Sequence, residues 1–105
     1  MILVDRPRRV TPTKAYPYTT AFHIVSTVDV DELCAFAEQL GLREAWLQTH
    51  RIAHFDAIGS KHSKAIALGA RLVTTREIVR RACRGQSRPQ ANPEQAIAIM
   101  EGLTK

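Results

Sequence analysis

Several things are scarce in this 105-residue chain. It holds two cysteines and one tryptophan, and its aromatic share is 6 %. Cys34 and Cys83 stand far apart, each within a helical pattern, with no CxxC spacing and no dense disulfide framework. They are expected to be reduced, partly buried thiols. Neither has a visible activating partner, which argues against covalent thiol catalysis. No apolar run nears the roughly 20 residues of a membrane span. The opening MILVDRPRR lacks both a long apolar core and a small-residue cleavage site, so no secretory leader is expected and the default compartment is cytoplasmic. The Ser-elbow, P-loop, dinucleotide and HExxH patterns are all missing. Few aromatics also leave little surface for stacking a nucleic-acid single strand.

What remains is an ordinary globular composition, 45 % apolar and 24 % charged, on the scale of one domain. The net charge is +5, and eleven of the fifteen basic residues are Arg. A guanidinium fork suits phosphate and carboxylate, so anionic partners are favoured. Arg76, Arg80 and Arg84 recur every fourth residue on one helical face, with Arg81 and Arg88 nearby, yet such faces are usually only solvated. Nucleic acid is therefore the lesser expectation.

Ile2-Leu3-Val4 reads as a buried strand ending on Asp5. The following RPRRVTPTKAYPY holds three prolines and reads as a surface loop, because each Pro removes a donor and restricts its predecessor. Thr19 to Ser26 is β-branched and aromatic and reads as a central strand carrying His23. Asp29 with Glu32 forms a capping box for a helix whose stripe is Leu33, Phe36, Ala37 and Leu40, closed by Gly41. Glu44 to Gln48 reads as extended, and His50 to Gly59 as a loop. Ser60 is placed as the N-cap of a helix through Leu68, ended by Gly69. Arg71 to Val73 is a further strand, and Thr74 with Glu77 caps a helix to about Cys83. Gly85 to Ala91 is a linker, and Asn92-Pro93 opens a last amphipathic helix. The fold expected is α/β: a small, open, mainly parallel sheet of about three or four strands covered by helices, plus a C-terminal helix. The domain is assigned to residues 1–84, with linker and helix at 85–105.

Chemistry concentrates between Trp46 and Ala70. The unpaired amides at a helix start at Ser60, flanked by Lys61 and Lys64, suit an anion. His54, two residues before Asp56, is a candidate general base or ligand-contacting donor. A metal site from His50, His54 and Asp56 has weak support, and none is expected.

These residues resemble a family of small bacterial and phage proteins, domain of unknown function 4031. The resemblance rests on Val4-Asp5, Tyr18, His23-Ile24, Glu32-Leu33 with Phe36-Ala37, and Trp46-Leu47-Gln48. It continues through His54-Phe55-Asp56, Ser60-Lys61, Leu68-Gly69-Ala70 and Arg76-Glu77, covering roughly residues 2 to 82. The family usually carries an aspartate shortly after its His-Leu pair, where this chain has Ser26-Thr27, which weakens the case for an acidic metal cluster. The family has no assigned activity. What the resemblance implies is a set of recurring polar positions: Asp5, His23, Gln48, His54, Asp56 and Lys61.

The function expected is a binding module for a phosphorylated small molecule, a nucleotide for preference, in the cytoplasm of a bacterium or phage-infected bacterium. A phage-borne form would sequester a nucleotide signal of host defence. The expected ligand-binding residues are Asp5, Tyr18, His23, Gln48, His54, Asp56, Ser60, Lys61 and Lys64, with no cofactor. The alternative is a metal-assisted phosphoesterase or nuclease with His54 as general base and Asp56 beside it. The helix at 92–103 is expected to serve a homo-oligomer.

Overall fold

The computed structural model describes residues 1–49 and 51–83. His50, the linker and the helix expected at 92–103, with its oligomer role, lie outside the described residues. The central element is β3, Thr20–Ser26, the stretch richest in β-branched and aromatic side chains. Along one edge it pairs antiparallel with β1 (Ile2–Val4) and then β2 (Arg8–Arg9); along the other it pairs antiparallel with β4 (Phe55–Ile58). A short β5 (Arg71–Leu72) runs parallel to β1 on its far side.

The sheet is therefore mostly antiparallel, which corrects the expectation of a mainly parallel one. The proline-rich segment folds the chain straight back from β1 and β2 into β3, and a fold-back without a crossover helix makes an antiparallel pair. Only the longer excursion to β5 restores the direction of β1. Two strands were not anticipated. Arg8-Arg9 lies within the expected loop, and Phe55–Ile58 within the supposed loop from His50 to Gly59. The second was legible: Phe55 and Ala57 are buried while Asp56 and Ile58 are partly exposed, the period of two of a half-buried strand. The register also slips between the first two strands. Val4 faces Ile24, but Arg8 faces Ala21, so one residue too many lies between the two pairings.

Helix α1, Val30–Leu40, covers one face of the sheet. Asp29 caps it, its carboxylate accepting from the Glu32 amide at 2.8 Å. Only half of the expected capping box forms, because the Glu32 carboxylate turns to the Ser26 hydroxyl at 2.6 Å. Val30, Leu33, Phe36, Ala37 and Leu40 pack on Ile2, Val4, Phe22, Ile24 and Phe55. Each large side chain buried there contributes about 1.5–3 kcal/mol. Gly41 closes the helix at φ +90°, a conformation glycine adopts without steric cost. A 3₁₀ turn, Glu44–Trp46, replaces the extended segment expected there.

The helix predicted from Ser60 is shorter and begins later. Gly59–Lys61 form a 3₁₀ turn, and helix α2 is only His62–Ala67, without a side-chain cap. Thr74 caps α3, Thr75–Arg81, as expected, accepting from the Glu77 amide at 3.1 Å. Ile78 and Ala82 of that segment join Leu3 and Val25 in a small second cluster on the opposite face of the sheet. Cys34 and Cys83 are half-buried and form no disulfide.

Gly59 has a sharper steric role than its position in a turn suggests. Its amide donates to the Thr20 hydroxyl at 3.1 Å, and a methyl group there would meet the Thr20 Cβ at 2.9 Å. Gly59→Ala is expected to destabilise the fold by about 1–3 kcal/mol, as overpacking does, read as a lower urea midpoint. A midpoint equal to the parent's would show that the β3–β4 corner is loose.

Candidate functional site

Residues directly opposite one another in neighbouring strands share a face of the sheet. His23 stands opposite Asp56, on the face turned away from α1. Asp5, which continues the alternation of Leu3, falls on the same face. Three strands thus contribute a polar row across the sheet, and the start of α3 comes down beside it.

Asp5 is 2 % exposed. Its carboxylate accepts the His23 amide, the His23 ring at Nδ1 and the Thr75 hydroxyl, each at 2.7 Å. Its backbone carbonyl takes His62 Nε2 at 2.8 Å. Burial pushes the carboxyl's pKa up, but hydrogen bonds from the His23 side chain, the His23 amide and Thr75, with the charge of His23, outweigh burial and hold it below the ordinary aspartate value. An acceptor-only carboxylate on Nδ1 means that this nitrogen carries the proton. Arg8 Nη1 lies 3.0 Å from the same atom, but guanidinium only donates, so that contact is not a second hydrogen bond to it.

His54 is held differently. Its Nδ1 donates to the Ile52 carbonyl at 2.8 Å, the loop-fastening role of an ordinary turn histidine. Both rings therefore present Nε2 towards Asp56, His23 at 3.6 Å from Oδ1 and His54 at 3.9 Å from Oδ2. Oδ2 accepts from Gln48 Nε2 at 2.8 Å, whereas Oδ1 is buried without a partner. Among the described residues, no three His, Cys, Asp or Glu side chains are gathered to hold a metal ion. A hollow of about 220 Å³ lies beside the rings, lined in part by His23, Arg51, His54 and Thr75. Arg51 stands at φ +62°, rare for a residue with a side chain.

A larger cleft, about 460 Å³, opens along the free edge of β4. Tyr16 and Tyr18 reach it from the proline-rich loop, and Trp46 from the 3₁₀ turn after α1. Gln48, Asp56 and Lys61 supply its polar lining. Tyr18 and Trp46 are 48 % and 52 % exposed, a large apolar outlay unless something covers them. Tyr16 and Tyr18 meet edge to face at 5.1 Å. Burial, and after it the Asp56 charge, pushes the Tyr16 phenol up, and its hydroxyl donates to the Thr20 carbonyl at 2.9 Å.

The sequence profile of the family described as protein of unknown function (DUF4031) matches residues 2–85. The chain belongs to this family. No curated protein matches it, and no solved structure does. No described helix is long and apolar enough to cross a membrane.

Of the expected residues, Asp5, His23, His54, Asp56 and Gln48 form one connected row, while Tyr18, Gln48, Asp56 and Lys61 line the cleft. Ser60 and Lys64 do not stand at the helix start expected at Ser60. Ser60 is exposed in the 3₁₀ turn and caps nothing, and Lys64 is exposed near the end of α2. Lys61 Nζ is drawn to the Leu40 carbonyl at 3.1 Å, at the C-terminal end of α1, where a cation is favoured. Tyr16, Trp46, Arg51 and Thr75 were missed as site residues. Tyr16 and Trp46 had an available signal, the pairing of Tyr16 with Tyr18 and the presence of a single Trp beside Gln48.

Replacing Asp5 tests the row. Asp5→Ala strands the His23 amide, its ring N–H and the Thr75 hydroxyl, and is expected to cost about 3 kcal/mol. Because the folded carboxyl titrates below its unfolded value, the stabilisation is complete above about pH 4 and is lost as pH falls through the folded value. The stability profile of Asp5→Asn should accordingly be flatter on the acid side than the parent's. Parallel acid limbs in urea melts from pH 2 to 6 would remove Asp5 from this role.

Proposed function

We propose that the protein is a binding module for a phosphorylated small molecule of nucleotide type, held in the cleft at the edge of β4. The observation that carries this reading is the cleft itself. Its size falls in the range of small-molecule sites, and it joins two exposed aromatic rings to an amide, a carboxylate and an ammonium group. Aromatic faces take a planar base by stacking, worth about 1–3 kcal/mol per base. Lys61 gives one of its three protons to Leu40, leaving the others for phosphate. The net charge of +5 favours an anionic ligand. A cytoplasmic protein of this kind, carried by a phage, would sequester a nucleotide signal of host defence by binding without turnover. Nucleic acid is the lesser partner, since the cleft admits only a small group. Assembly through residues 92–103 belongs to the same proposal.

Trp46 is the sole tryptophan and lines the cleft, so its emission reports on the site. Titration with nucleoside mono- and diphosphates is expected to quench it with saturation, while ribose 5-phosphate leaves it unchanged. Lys61→Ala should weaken the nucleotide by about tenfold, the loss of one charge-assisted contact. A flat emission across the panel, with no heat in calorimetry, would sink the reading.

The polar row favours a second reading, a phosphoesterase, with its base reassigned. His54 fastens its own loop, whereas His23 has a buried carboxylate behind Nδ1 and a free Nε2, the arrangement that orients a general base. The described residues offer no ready metal-ligand set for the metal-assisted form. Incubation of the same nucleotides with Mg²⁺ or Mn²⁺ separates the readings. Product that disappears in His23→Gln supports turnover, and ligand recovered intact after denaturation supports binding alone.

A further inference from the structure

The cleft has a feature that its side chains do not show, a piece of main chain left without a partner. In an antiparallel ladder, the N–H and C=O of successive residues point to opposite edges of the strand. His54 turns both groups away from β3, to Gln48, at 2.9 and 3.0 Å. Two residues on, Asp56 turns its N–H and C=O the same way. The bonding of β3 gives the same phase. The Thr27 and His23 amides bond towards the β1 edge, to Met1 and Asp5, so Phe22 and Ile24 bond towards β4, to Ala57 and Phe55 opposite them.

The segment that pairs at Gln48 does not continue beside Asp56, because the chain before it is wound into the Glu44–Trp46 turn. Among the described residues, neither main-chain group of Asp56 has a partner. The floor of the cleft there is Asp56, Ala57 and Ile58.

We infer that the planar part of the ligand is a nucleobase standing where the next strand would run, its edge hydrogen-bonded to the N–H and C=O of Asp56 and its faces covered by Tyr18 and Trp46. This rests on the nucleotide reading above and names how the base is read. The opening is too short for a peptide strand. Gln48 closes it at His54, and the 3₁₀ turn that starts from Ile58 closes the other end. A strand needs several alternating pairs, whereas a base needs one donor beside one acceptor. Adenine offers N6–H beside N1, and guanine N1–H beside O6. Stacking between side chains with hydrogen bonds to the Watson–Crick edge is a usual way for a pocket to hold a lone base.

The test is a nitrogen-15 amide spectrum of the full chain, titrated with matched pairs. One pair is adenosine 5′-monophosphate and its N6,N6-dimethyl analogue; the other is guanosine 5′-monophosphate and its N1-methyl analogue. In at least one pair the unmodified nucleotide is expected to move the Asp56 amide downfield, and methylation to weaken binding by roughly tenfold or more. Three outcomes overturn the inference while the nucleotide reading stands. They are equal affinity within both pairs, nucleotide binding that leaves the Asp56 amide in place, and an Asp56 amide that moves with protein concentration alone, as a second copy docking on the edge would cause. Binding of ribose 5-phosphate as tight as that of the nucleotides, or of no nucleotide at all, overturns both readings together.

Discussion

The structure depends on one buried carboxylate. Asp5 sits where β1 gives way to β2, and there it replaces a main-chain acceptor: the His23 amide bonds to its side chain instead of to a ladder carbonyl. The same group fixes the His23 ring and receives Thr75 from the first turn of α3. Strand break, histidine tautomer and helix placement are thereby set together. A charge this deep is tolerable only because its acceptor capacity is filled. In return it fastens the helix-poor face of the sheet, where the apolar cluster is small.

Two unlike environments meet at Asp56. On one side is a row of histidine rings and carboxylates, on the other an aromatic cleft. Asp56 belongs to β4, a strand paired along its length on one edge only. Edge strands are usually blunted by charge, turns or bulges. Here the hairpin at Gln48 and the turn at Gly59 cover its two ends, and aromatic rings screen the gap between them. The unpaired stretch between the two ends is short.

Much of this was legible in the residues, and the exceptions have physical causes. Asp29, Gly41 and Thr74 ended or began helices as their chemistry predicts, because caps are local. The row from Asp5 to Gln48 was recognisable as a set of polar positions, though its pairing was not, since register is a long-range property. Parallel against antiparallel was misjudged for the same reason. Ser60 was over-read. A good capping residue followed by lysines implies an anion site only if a helix starts there, and the Gly59–Lys61 turn postpones that start. In His54-Phe55-Asp56 the two polar residues mask, at the level of sequence, the strand alternation of Phe55 and Ala57.

The slipped register between β1 and β2 sets a parity. Had β1 run straight on, residue 8 would stand opposite Thr20 and point at α1, and the guanidinium would be driven against an apolar layer. The extra residue turns the strand over, so that Arg8 shares a face with Ala21 and reaches the His23 ring. The segment from Asp5 to Pro7 thus holds one residue more than a regular ladder would need to bring Arg8 opposite Ala21. Removing one residue there would take out the extra residue and let a regular ladder keep Arg8 opposite Ala21, whereas removing two would carry Arg8 opposite Phe22 and onto the other face.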